Sequence, residues 1–165
     1  MVGGAGRVLV VGFGNTLAGD DGAGLCVAEE LSRRSLPDGV RVETAGSDSL
    51  RLPDLWAGES EVWLVDALIR GELPGSVHRL AHDEILRVPQ RHATVHQLSL
   101  PESLRWIALA YPEMGCVRYR LWGIEPAALG LAQSLSEPVC RAVEGVIEEI
   151  LREAGLGIPG RALDA

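Results

Sequence analysis

The apolar run Val8-Leu9-Val10-Val11 passes into Gly12-Phe13-Gly14-Asn15. After four loop residues come Asp20-Asp21-Gly22-Ala23-Gly24. A short Val/Leu run closed by glycine is a buried strand, here Arg7 to Phe13. The residues beyond the turn begin an amphipathic helix, Ala23 to Arg34, with Leu25, Val27, Ala28 and Leu31 on one side. A buried strand leading through a glycine turn into a helix is the opening unit of an α/β sheet, and the rest of the chain continues that alternation.

Val40 to Thr44 is a second, weaker strand. Ser49 to Ala57 holds a short helix with Asp48 as its N-cap and Pro53 limiting its form. Glu61 to Ala67 is a third strand, buried at Val62, Leu64 and Val65. Gly75 to Leu80 reads as a short edge strand and Asp83 to Val88 as a turn or connector. Leu98 to Tyr111 is a helix beginning just after His96, and Cys116 to Ile124 is a further strand. Ser136 caps a last helix that runs to about Ala154, with Val139, Val143, Ile147, Ile150 and Leu151 inward. The expected fold is a single-domain α/β three-layer sandwich over residues 1–154: a mostly parallel sheet of about five strands with helices on both faces. The Gly/Pro-rich stretch 155–165 is expected to be a flexible tail.

In such sheets ligands gather at the carboxyl ends of the strands, where strand order reverses. An order beginning 2-1-3 makes strands one and three neighbours at that point. The loop after strand one carries Asp20 and Asp21, and strand three ends on Asp66. A dinucleotide site would need G-x-G-x-x-G and bare N–H groups for a pyrophosphate. Here the third glycine is replaced by Leu17, and two carboxylates stand where the phosphate would go. Each of Asp20 and Asp21 suits either a helix N-cap or a cation ligand. Asp66, a charge at the end of a buried strand, must be paired, hydrogen-bonded or functional.

Of the four histidines, His78 and His82 fall on the edge strand and turn and are expected to be solvated. His92 sits in a loop, and His96 stands directly before a helix. Two carboxylates and an imidazole form an oxygen/nitrogen set suited to Zn, Ni, Mn or Fe, and three protein ligands with an open position is a catalytic layout. There is no G-x-S-x-G motif and no cysteine with an evident partner histidine, so a hydrolase here would use a metal-activated water. A net charge of −8 argues against nucleic acid or an anionic membrane surface as partner. Cys26, Cys116 and Cys140 give no disulfide framework and fit a reducing, cytoplasmic setting. The apolar N-terminal run is too short for a signal peptide or a membrane span.

The ordered set Gly12-Phe13-Gly14-Asn15, Asp20-Asp21-Gly22-Ala23-Gly24, Val65-Asp66-Ala67, His96-Gln97-Leu98-Ser99-Leu100, Gly123-Ile124-Glu125-Pro126 and Leu135-Ser136-Glu137-Pro138-Val139 resembles the hydrogenase maturation proteases. These are endopeptidases that trim the C-terminus of the large subunit of nickel–iron hydrogenases. The resemblance covers nearly the whole chain. It implies a metal-dependent endopeptidase whose partner is a nickel-loaded large-subunit precursor. Asp21, Asp66 and His96 would be the catalytic, nickel-reading ligands, with the Ni2+ shared with or brought by the substrate. It also breaks the tie between the adjacent aspartates in favour of Asp21, leaving Asp20 as a cap or a support for the ligands. The family often shows Asp-Gly-Gly-Thr after strand two. Here the segment is Glu43-Thr44-Ala45-Gly46, so Glu43 stands in for a substrate-recognition aspartate. The rival reading is a nickel-dependent checkpoint module that grips the precursor without cutting it.

Overall fold

A computed structural model describes residues 7–88, 98–131 and 134–156. Five strands, β1 (Val8–Phe13), β2 (Val40–Gly46), β3 (Glu61–Ala67), β4 (Val77–Ala81) and β5 (Arg118–Ile124), form one sheet in the order β2-β1-β3-β5-β4. All neighbouring pairs are parallel except β4 with β5. The expected 2-1-3 beginning is present, and β4 is the expected edge strand. The helices are α1 (Ala23–Ser32), α2 (Leu52–Leu55), α3 (His82–Arg87), α4 (Leu100–Ala110) and α5 (Glu137–Leu156), with 3-10 turns at Asp20–Gly22 between β1 and α1, at Ser49–Arg51 and at Pro112–Met114. α5 continues into the first residues of the segment expected as a tail.

Alternation along the central strands divides the core into two layers. Val8, Val10, Trp63, Val65 and Ile124 meet α1 and α5 on one face. Leu9, Val11, Val62, Leu64 and Leu121 meet α2, α3 and α4 on the other. All six residues of β1 are buried, as a strand covered on both faces requires.

Two glycines set how tightly the first unit packs. A Cβ on Gly24, in the first turn of α1, would overlap the carbonyl oxygens of Val65 and Phe13. Only glycine lets α1 press onto the ends of β1 and β3 together. Gly14 has φ +138°, and a Cβ there would strike the Asp21 carbonyl. The loop after β1 thereby folds back until Asn15 N–H donates to the Asp21 carbonyl at 3.3 Å.

One expected connector is a helix. α3 occupies His82–Arg87, where the sequence pattern suggests a turn. Only Ile85 of its six residues is fully buried, so the sequence shows no 3.6-residue stripe, and the signal lies in its first turn. Glu84 Oε2 accepts from Ala81 N–H at 2.8 Å, and Asp83 and Glu84 complement the helix dipole.

Candidate active site

β1 and β3 are neighbours, and β2 and β5 lie on opposite sides of them, so the crevice at their carboxyl ends is the topological switch point of the sheet. Asp21 enters it from the 3-10 turn after β1, and Asp66 from the penultimate position of β3. Both carboxylates line the same two hollows. One, of about 220 Å³, is walled mainly by apolar side chains, among them Ile85, Leu100, Leu121 and Leu129. The other, of about 180 Å³, is more polar and includes Ser47, Ser49 and Ser99. Ser99 is held by its role at the start of α4, where its hydroxyl and backbone N–H exchange hydrogen bonds with Glu102.

Among the described residues neither carboxylate has an ion-pair partner. Asp66 Oδ1 accepts from its neighbour Ala67 N–H, at 2.8 Å. Burial, reinforced by the negative charge of Asp21 and opposed by the Ala67 N–H, pushes Asp66 up to about 7. Burial also raises Asp21 above the ordinary carboxylate range, against a hydrogen bond from the Asn15 backbone. Two carboxylates in one crevice, with no cationic side chain beside them among the described residues, suit a divalent metal ion, which would relieve both burial and mutual repulsion. Oxygen donors with a further imidazole fit the borderline metals.

His96 and His92 lie outside the described residues. His96 stands two positions before Leu98, which lines the smaller hollow. Among the described residues no cluster of three His, Cys, Asp or Glu side chains is set to hold a metal. Glu43 lies midway along β2 opposite Val11, with Oε1 3.4 Å from Arg41, and lines neither hollow. His78 and His82 are not the solvated residues expected. His78 Nε2 pairs with Glu125 at 3.0 Å, and the His82 ring stacks on Tyr119 while its Nδ1 accepts Tyr119 N–H.

Two further buried carboxylates, Asp20 and Glu125, hold the walls of the crevice. Asp20, 3% exposed, makes no side-chain cap to either adjoining helix. Its Oδ1 accepts from Ser136 N–H at 2.7 Å. Its Oδ2 accepts from Ala127 N–H at 2.8 Å, from the Ser136 hydroxyl at 2.9 Å and from Ala128 N–H at 3.4 Å. Burial disfavours its charge, but these donors outweigh burial and hold Asp20 below the usual carboxylate value. The residue next to Asp21 thus ties the loop after β1 to the loop between β5 and α5, beside a backbone bridge from Gly19 to Leu129. Ser136 stands just before α5, and its carbonyl accepts the Cys140 N–H as an N-cap carbonyl does, but its hydroxyl belongs to Asp20.

Glu125, also 3% exposed, serves the loop after β3 in the same way. It accepts from Arg70 N–H at 2.9 Å and Gly71 N–H at 3.0 Å, as well as pairing with His78. Burial pushes its carboxyl up, and these partners overcome that to leave it lowered. The signal available in the sequence is a charge directly after an apolar strand, in Gly123-Ile124-Glu125.

A family model for hydrogenase maturation proteases matches residues 25–153. The chain belongs to the hydrogenase maturation protease family. The Hydrogenase 2 maturation protease of Escherichia coli (strain K12) is 29% identical over 163 residues, covering 95% of this chain and 98% of the relative. Among solved structures, the hydrogenase maturating endopeptidase HybD from E. coli superposes with a TM-score of 0.75 at 26% identity, over 92% of this chain and 94% of that one. The [NiFe] hydrogenase maturation protease HybD from Thermococcus kodakarensis gives 0.74 at 28% identity, over 90% of this chain and 99% of that one. As a maturation protease the chain is a peptidase. Its crevice sits where a chain of this fold presents ligands, and no helix among the described residues is long and apolar enough to cross a membrane.

Proposed function

We propose that this protease removes a C-terminal extension from the nickel-loaded large-subunit precursor of a [NiFe] hydrogenase, reading the nickel through Asp21, Asp66 and His96. The observation that carries the proposal is the carboxylate pair at the switch point of the sheet, without an ion-pair partner among the described residues, in a chain of this family. The solved relative from T. kodakarensis is a [NiFe] hydrogenase maturation protease, which supports the substrate class.

Nickel is cargo of the substrate in this reading. A divalent ion beside the scissile bond polarises a carbonyl and lowers the pKa of a bound water. The chain's own contribution is the pair of carboxylates that meets the ion. Asp66, pushed up to about 7, holds a proton near neutrality until a cation displaces it. With the ion bound that proton is gone, and a carboxylate at Asp21 or Asp66 orients or deprotonates the attacking water. Because substrate completes the site, an apo-precursor presents nothing to the carboxylates and is refused.

Processing of loaded precursor by Asp66→Ala and His96→Ala tests the assignment. Both should abolish release of the C-terminal peptide while circular dichroism and melting remain those of a folded protein. Wild-type processing by either variant refutes the ligand set.

A further inference from the structure

The two hollows beside the carboxylate pair differ in character, and the metal reading uses only the acidic seam between them. Among the described residues the larger one is lined by Asp21, Asp66 and Ser99 and otherwise by apolar side chains. Its floor is rigid: Ile85 from α3 is fully buried, and Leu121 from β5 is 4% exposed. Its outer wall is Leu129 at 49% exposure and Ile69 at 54%, on the two loops that Asp20 and Glu125 pin down. An apolar cavity of about 150 Å³ suffices for a benzene-sized group. This hollow, at about 220 Å³ and open to solvent at one side, has room for one large apolar side chain.

We infer that the hollow is a specificity subsite: it takes the apolar side chain of one of the two residues flanking the bond that is cut, with Leu129 setting the size accepted. The inference rests on the function proposed above. The residue whose side chain enters is held within reach of Asp21 and Asp66 because the same cavity contains both. An acidic side chain would lose its hydration against Ile85 and Leu121 and meet two further carboxylates at the rim. A small one would leave the hollow unfilled. Half-exposed Leu129 is a wall residue whose replacement leaves the core intact, so the pocket's size can be altered without unfolding the chain.

The test uses full-length nickel-loaded precursor, with the cut site fixed by mass spectrometry and Leu, Ala or Asp placed in turn at each flanking residue. At one of the two positions, kcat/KM should fall about 10- to 100-fold from Leu to Ala, the scale of lost methylenes in an apolar pocket, and further for Asp. Leu129→Trp, which fills the hollow, should reverse the order so that Ala outperforms Leu, with its melting temperature unchanged. Cleavage by the unaltered protein that is indifferent to both flanking residues overturns the subsite and leaves the proposed function standing. An unchanged Leu-over-Ala preference in Leu129→Trp overturns the assignment of Leu129. No cleavage of any loaded precursor by the unaltered protein overturns the functional reading and the subsite with it.

Discussion

Replacing Asp20 by asparagine separates two roles that an aspartate in this position can play. If its carboxylate were a helix N-cap, an amide would serve nearly as well and Ala would cost about 1 kcal/mol. The structure gives it another task. Its two oxygens take backbone N–H groups of Ser136 and Ala127 at 2.7 and 2.8 Å, more than 100 residues away in sequence. An amide has one acceptor atom, so either orientation of the substituted side chain turns an NH2 group against one of those N–H donors. Each partly buried donor left unpaired costs about 1–3 kcal/mol, so Asp20→Asn, which strands one, should lose about 2 kcal/mol and Asp20→Ala, which strands both, about 4 kcal/mol. With a urea slope of about 2 kcal/mol/M for a domain of this size, the unfolding midpoint should drop by about 1 M in Asp20→Asn and about 2 M in Asp20→Ala. The wild-type contribution also has a defined pH window. The folded Asp20 carboxyl lies below its ordinary value of 3.8, so its stabilisation is complete above that value and is lost as pH falls through the folded value. An Asp20→Asn protein within about 0.5 kcal/mol of wild type refutes the clamp and restores the cap.

Three further perturbations read other parts of the same account. Gly24→Ala places a Cβ on the carbonyls of Val65 and Phe13 and should cost about 3 kcal/mol or more by overpacking, seen as a lower thermal midpoint; a neutral result means α1 does not sit as close to the sheet as the structure has it. In metal-free protein Asp66 titrates near 7 when folded and near 3.8 when unfolded, so stability should fall as pH rises from about 4 to about 7 on its account. Asp66→Asn should flatten that slope and melt above wild type at a pH of about 8, whereas an unchanged pH profile would show that burial does not disfavour the Asp66 charge. Glu125→Gln exchanges a carboxylate for an amide against Arg70 and Gly71, and hydrogen exchange at those two amides should speed up selectively; unchanged protection would remove Glu125 as the anchor of that loop.

The elements legible in the sequence are those whose signal is local. β3 falls on Glu61–Ala67 as expected, because its apolar core is bounded by charge at both ends. The cap at Asp48 is equally local: its carboxylate accepts Leu50 N–H at 3.0 Å. The meeting of Asp21 and Asp66 is readable from topology alone, since order 2-1-3 places their strands side by side. What the sequence hides is what depends on distant partners. Nothing near Asp20 in sequence hints at Ala127 and Ser136, and nothing near His78 hints at Glu125, 47 residues on. α3 is hidden for a different reason: a helix of six residues with one buried side chain has no periodicity to read.

The proposed cut is gated by nickel at the crevice of Asp21 and Asp66. The measurement that meets it most directly is mass spectrometry of a [NiFe] hydrogenase large-subunit precursor, nickel-loaded and nickel-free, after incubation with this protein. Loss of a C-terminal peptide from the loaded form alone is the expected result. Equal cleavage of both forms contradicts the gating. Nickel-dependent binding without cleavage contradicts the endopeptidase and makes the protein a checkpoint instead.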